Sequence, residues 1–198
     1  MKFYDISMKL NKDIVQWPDS ISFSHIFYNE NTSFIKMDLH TGTHVDAPKH
    51  FIKNGKSIDN LEIKRFFGKC QVIEINDDVI SSQSFKNFEI RADNIILKTK
   101  NSVNLNTDFN KNYVALNSDG ARFLAEKKIN LVGIDYLSIE IFNNENFEAH
   151  KILLSNDIII LEGLNLKNIS PGIYTLIAFP LLIENAEASP VRAVLLEG

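Results

Sequence analysis

Seven short runs rich in β-branched and aromatic residues, each bounded by turn-forming residues, most constrain how this chain folds. They fall at 34–39, 70–75, 94–98, 113–116, 131–134, 158–161 and 174–179. Runs of this length and composition suit a pleated, partly buried surface. Only two segments read as helices. Residues 118–128 open on Ser118-Asp119, which can cap free N–H groups, and bring Ala121, Phe123, Leu124 and Ala125 to one side. A second helix is expected at 147–155, ended by the Asn156-Asp157 turn. Strands outnumber helices, so the expected fold is α/β, with a mixed central β-sheet and a few packed helices.

A chain of 198 residues, 44% apolar and 23% charged, can bury enough surface to stand as one domain over residues 1–198, and it lacks the composition of a disordered chain. Linkers, repeats and low-complexity tracts are absent from the sequence; the Asn-rich stretch 100–112 reads as an extended loop. The net charge is −4 and the basic residues are scattered, so nucleic acid is not an expected partner. Lys127-Lys128, the tightest basic pair, reads as the solvated end of a helix. Cys70 is the single cysteine, lies in an apolar run and is expected to be buried and inert. An intrachain disulfide is impossible, which fits a reducing compartment. The start of the chain has no apolar stretch of a signal peptide, and the apolar stretch 173–183 is interrupted by Pro180. No membrane association is expected, and the default location is cytoplasmic.

Three of the five histidines cluster in His40-Thr41-Gly42-Thr43-His44-Val45-Asp46-Ala47-Pro48-Lys49-His50. On a helix, Asp46 would sit about 200° round from His44, dispersing the set. In an extended chain, residues of equal parity share a face, so one strand would aim His40, His44 and Asp46 into a single pocket. Thr41, Thr43 and Val45 favour strands, while Gly42 and Pro48 disfavour a helix interior. Gly42 falls on the pocket-facing parity, where its missing side chain leaves room. Pro48 should end the strand, so His50 follows a bend and is free for proton transfer. A lone His44 reads as a core histidine. Two imidazoles and a carboxylate on one face read instead as ligands of zinc or manganese. A structural zinc site would usually add cysteines, and the one available lies elsewhere.

The segment from His40 to Phe51 resembles the signature of the cyclase family of metal-dependent hydrolases, which includes bacterial kynurenine formamidase and isatin hydrolase. The resemblance runs on through Gly55-Lys56-Ser57-Ile58-Asp59, Asp119-Gly120-Ala121-Arg122, Gly133-Ile134-Asp135, His150, Glu162-Gly163-Leu164 and Pro190-Val191-Arg192-Ala193-Val194, nearly the whole chain. It implies the family's swivelling β/β/α type of fold and two divalent metal ions, zinc first and manganese second. His40, His44 and Asp46 would hold one metal, Asp46 would bridge to the other, and His150 and Glu162 would complete the pair. Taken alone, His150 reads as a surface histidine and Glu162 as a solvated acid at a strand end; only the family pattern lifts both.

By the same resemblance His50 is the proton-transfer residue, and Trp17 stands where family members place an aromatic near the substrate. Trp17 could equally anchor its loop to the core. His25 reads as structural or surface, and Arg122 and Arg192 as ion-pairing residues at element ends. The implied activity is hydrolysis of a small amide, with arylformamidase action on N-formylkynurenine in tryptophan catabolism as the leading substrate reading. Where formamidase members read Thr-Pro after Gly-Ile-Asp, this chain has Tyr136-Leu137, so isatin-like cyclic amides and lactones stay open. A metal-dependent small-molecule binding module is the non-catalytic alternative, against which His50 counts. Family members commonly form dimers or tetramers, so a homo-oligomer is expected.

Overall fold

The computed structural model describes residues 1–103 and 108–198; residues 104–107, the middle of the stretch expected to be an extended loop, lie outside the described residues. The first part of the chain forms β1 (Lys2–Asp5), β2 (Ser24–Asn29), β3 (Thr32–Lys36), β4 (His44–Asp46) and β5 (Phe67–Glu74). The middle contributes β6 (Val79–Ile80), β7 (Asn94–Lys98), β8 (Ala115–Leu116), α1 (Ser118–Glu126) and β9 (Leu131–Ile134). The last part adds α2 (Glu148–Ser155), β10 (Ile159–Glu162), β11 (Gly172–Ile177), β12 (Ala188–Pro190) and β13 (Val194–Glu197). Nine strands make one mixed sheet in the order β1-β13-β11-β5-β7-β9-β10-β4-β12. Its centre, β5-β7-β9-β10, is parallel, and both flanks are antiparallel. This is the expected single α/β domain with a mixed sheet.

Side-chain alternation splits the core in two. Ile73, Ile95, Leu97, Val132 and Ile160 face a cluster with Leu124 and Leu153, the apolar sides of α1 and α2. Their neighbours Val72, Ile96, Leu131, Ile159 and Leu161 face the opposite cluster with Leu176 and Leu195. The central strands are therefore buried on both faces, which is why they read as continuous apolar runs. β7 and β9 have the bounds expected of them.

Several boundaries depart from expectation. The run 34–39 is a strand only up to Lys36, where it pairs with β2 as a hairpin. The run 113–116 narrows to two residues. α1 is capped one residue earlier than expected: the Asn117 side chain accepts from the Gly120 N–H at 2.9 Å, while Asp119 accepts from Ser82 N. The expected strand through His40 covers only His44–Asp46, because residues 39–43 form a turn with Gly42 at φ +72°. Gly42 is required by that turn: a Cβ there would lie 2.9 Å from Leu10 and 3.2 Å from Ile14, so the room it leaves is taken by the neighbouring loop. Among the described residues no helix is long and apolar enough to cross a membrane. Cys70 is fully buried, and burial pushes its thiol far up, as expected of an inert cysteine.

Candidate active site

β4 is three residues long and flanked on both sides, by β10 and by β12. Val45 turns into the core, while His44 and Asp46 take the face toward α2. In the antiparallel register Glu162 stands directly opposite His44. Directly paired residues share a face, and His44 Nε2 accordingly lies 3.3 Å from Glu162 Oε2. α2 packs over this end of the sheet and lowers His150 into the same place. Its Nε2 is 3.3 Å from Glu162 Oε1 and 3.7 Å from Asp46 Oδ2. His40 arrives from the turn before β4, with Nδ1 3.1 Å from Asp46 Oδ1 and Nε2 3.7 Å from Glu187. His50 ends the short 3-10 turn Pro48–His50 and sets its ring 4.3 Å from that of His40 and 5.9 Å from that of His150. All six candidate metal and proton-transfer residues thus converge. Ligand atoms cluster as His44, Asp46, Glu162 and as His40, Asp46, His50, with Asp46 common to both groups.

The tautomers are set from behind. His44 Nδ1 lies 3.0 Å from the Gly42 carbonyl, to which it donates, so Nε2 is left to face the site. His150 Nδ1 is 3.4 Å from Glu140 Oε2, which likewise leaves its Nε2 inward. Among the described residues, His44 Nε2 and both Asp46 oxygens are buried without a hydrogen-bond partner. Three such orphans at one point are costly, on the order of 1–3 kcal/mol each and more for a charged group. A divalent cation satisfies all three, so the residues fit a metal.

Electrostatics tell the same story. Burial alone would lower His44 and His150, but the carboxylates around them override it: Glu162 and Asp46 raise His44 to about 9, and Glu140 and Glu162 raise His150 to about 10. Burial would raise Asp46, yet the surrounding His50, His40 and His44 hold it well below the usual carboxylate range. Burial drives His50 down to about 4, with Asp46 opposing.

Over these groups opens a cavity of about 630 Å³, walled by Trp17, Phe51, Leu137, Ile141, Phe142 and Phe147. Trp17 borders the cavity and packs edge-on against Phe109 and Tyr113, 5.1 and 6.3 Å away. Within Tyr136-Leu137 only Leu137 reaches the cavity. Tyr136 turns to the other side, stacks on Tyr113 at 4.0 Å and is tied through its hydroxyl to the backbone of Asn110.

The remaining singled-out residues have structural places. Arg192 pairs with Asp5, Arg122 donates to Ser118 one helical turn back, and His25 contacts Ser33 across the hairpin. Glu140 and Glu187 escape sequence reasoning, since neither sits in a spaced pattern with the histidines. Glu140 is buried, and its Oε2 also accepts the Ala149 and His150 N–H groups. It supplies the cap that Phe147, left-handed at φ 48°, cannot give α2.

The Cyclase family model matches residues 4–141. Kynurenine formamidase of Bacillus cereus (strain ATCC 10987 / NRS 248) is 35% identical over 203 residues, which cover 98% of this chain and 97% of that protein. The Bacillus anthracis kynurenine formamidase is 34% identical with the same coverage. A solved structure described as a potential metal-dependent hydrolase with cyclase activity matches with a TM-score of 0.90 at 32% identity, over 98% of this chain and 96% of that one. Isatin hydrolase A from Labrenzia aggregata shares the fold, with a TM-score of 0.80 at 21% identity, over 98% of this chain and 93% of that one. On the match across residues 4–141 and on relatives this similar over nearly their whole length, the chain belongs to the Cyclase family.

Proposed function

We propose that this chain is a metal-dependent amide hydrolase, an arylformamidase that cleaves N-formylkynurenine to kynurenine and formate in tryptophan catabolism. The observation that carries the reading is the trio of orphaned atoms on His44 and Asp46, buried beside His40, His150 and Glu162, which border an aromatic-walled cavity. His40, His44 and Asp46, with His150 and Glu162, would hold two divalent ions, zinc before manganese, because imidazole and carboxylate donors suit both. Such ions lower the pKa of water toward neutrality and polarise a carbonyl.

The chain's own groups do the rest. Trp17, Phe51 and Phe142 offer faces and edges to a flat aryl ring, directing the amide toward the floor. The apolar wall excludes bulk water around the reacting group. His50, neutral at pH 7, accepts a proton at a ring nitrogen and returns it to the departing amine nitrogen, the step amide cleavage needs. A pure binding module has no use for that imidazole. The names of the formamidase relatives favour N-formylkynurenine, while Leu137 in the wall keeps isatin, a cyclic amide, as the alternative substrate. The enzyme is expected to act in the cytoplasm as a homodimer or tetramer.

The test measures metal content after purification, then follows N-formylkynurenine and isatin by absorbance with zinc or manganese restored. Turnover of the formamide, abolished by chelation, is the expected result. Isatin turnover alone would reassign the substrate, and absence of bound metal together with inactivity on both would overturn the reading.

A further inference from the structure

The two aryl faces of the cavity wall, Trp17 and Phe142, meet a third ring behind them. Phe109 lies 5.1 Å from Trp17 and 5.5 Å from Phe142, and those two lie 5.6 Å from each other. Trp17 belongs to an irregular segment between β1 and β2, so the plane of its ring is set by edge and face contact with the rings around it. That contact comes largely from the bend 109–113. Besides Phe109, the bend supplies Tyr113, 6.3 Å from Trp17, and Lys111, whose Nζ sits 5.6 Å over the Phe142 ring.

The bend is exposed at Asn110, Lys111 and Asn112, and an Asx turn ties it internally, with Asn112 N donating to Asn110 Oδ1 at 3.0 Å. Tyr136, which is buried, holds it from the other side. Its Oη donates to Asn110 O and accepts from Asn110 N, each at 2.8 Å, and its ring stacks on Tyr113 at 4.0 Å with an interplanar angle of 18°. One side chain thus grips the bend at two points three residues apart. Tyr136 is itself pinned through its backbone. Its carbonyl accepts from Gly163 N at 2.7 Å, and the carboxylate of the preceding Asp135 accepts from the amides and hydroxyls of Thr99 and Ser102.

We propose that Tyr136 is a positioning residue for aryl substrates: its hydroxyl, clamped on Asn110 outside the cavity, fixes the bend that orients Trp17 and Phe142. It touches neither the reacting group nor the candidate metal ligands. The inference rests on the aryl-amide reading of the cavity and adds the residue that shapes its wall. A Tyr136 that merely filled the core would act through its ring, which Tyr136→Phe keeps; the proposal places the effect in the hydroxyl. Because Asn110 is exposed, water can take over both of its backbone groups, so Tyr136→Phe should fold as the wild type does.

Trp17 is the only tryptophan in the chain, so its fluorescence reads the wall without substrate, metal or turnover. In Tyr136→Phe the emission should shift to the red and acrylamide should quench it more strongly. The KM for N-formylkynurenine should rise about 3–10-fold, the size of one aromatic contact, with kcat and divalent-ion affinity unchanged. Tyr174→Phe is the control: it removes a tyrosine hydroxyl bond to Ser170 O elsewhere in the fold and should leave both Trp17 and KM as they are. Hydrogen exchange on the wild type gives an independent readout, since the amide of exposed Asn110 should be protected, and its protection should vanish in Tyr136→Phe. Wild-type Trp17 emission in Tyr136→Phe, or an unprotected Asn110 amide in the wild type, would overturn the clamp. A loss of kcat or of ion affinity with KM unchanged would overturn the positioning role. Failure of the wild type to cleave any aryl amide would sink the functional reading, while fluorescence and exchange would still decide the clamp.

Discussion

Gly163→Ala is the sharpest test of how the fold supports the site. Gly163 follows Glu162 at φ +68°, and a Cβ placed there would lie 2.3 Å from the Gly42 carbonyl oxygen, 2.7 Å from its carbon and 3.1 Å from Thr43 N. All three are backbone atoms, so no side chain can swing aside, and the two segments must part by roughly 1 Å to reach ordinary contact distance. They are pinned where they are: Gly163 N donates to Tyr136 O at 2.7 Å, and Thr43 Oγ1 donates to Gly163 O at 2.5 Å. The left-handed conformation costs a residue with a Cβ about 1–2 kcal/mol, and forced overpacking adds about 1–3 kcal/mol. The expected loss is about 2–5 kcal/mol in urea unfolding. The same parting separates Glu162 from His44, so divalent-ion affinity should fall as well. Gly172→Ala is the internal control: its nearest neighbour would be a Tyr174 ring carbon at 3.5 Å, ordinary contact, and φ is not in the left-handed region. It should unfold within about 0.5 kcal/mol of wild type. A Gly163→Ala protein as stable as wild type, or a Gly172→Ala protein equally damaged, would refute the reasoning.

Four further outcomes follow from the site. His50→Ala should lose most turnover while retaining metal, whereas His44→Ala or Asp46→Ala should lose metal too; full activity of the His50 variant removes it from the proton path. At pH 7 the metal-free protein carries His44 and His150 protonated, with values near 9 and 10, so ion binding should expel about two protons, visible as calorimetric heats that change with buffer, and affinity should rise with pH. Because both values lie above the unfolded one, near 6.5, their stabilisation of the metal-free fold is complete below that pH and is lost through pH 9–10, a decline unfolding curves can check. Glu140→Gln keeps an acceptor for α2 but not the charge behind His150, so ion affinity should fall about 10–100-fold, and the metal-free protein should melt earlier at pH 7, where protonated His150 leans on that charge.

How much of this was readable depended on how local each feature is. β7 and β9 declare themselves because burial on both faces demands unbroken apolar runs. β1, β12 and β13 escaped notice: they are three or four residues long, and their pairing depends on partners far along the chain. β2 was missed because its exposed faces lack the alternation that marks a strand. For the site, parity correctly joined His44 to Asp46 but extended the strand through His40, which reaches Asp46 from a turn instead. The meeting of Glu162 with His44 is a matter of register between β4 and β10, and no spacing encodes it. Family resemblance alone brought Glu162 and His150 forward. Glu140 acts through a helix start and one imidazole, and left no local trace.

The position of β4 between β10 and β12 bears on when the site can come into being. Its outer rail, residues 188–190, and its inner rail, which ends on Glu162, both lie far along the chain from His44 and follow it in synthesis. A nascent or half-assembled polypeptide therefore holds isolated imidazoles and acids but no cage, and long-range sheet pairing of this kind closes late. Ion uptake becomes a report of finished assembly, and loss of the 188–190 strand should cost the protein its ions before it costs the central strands their order.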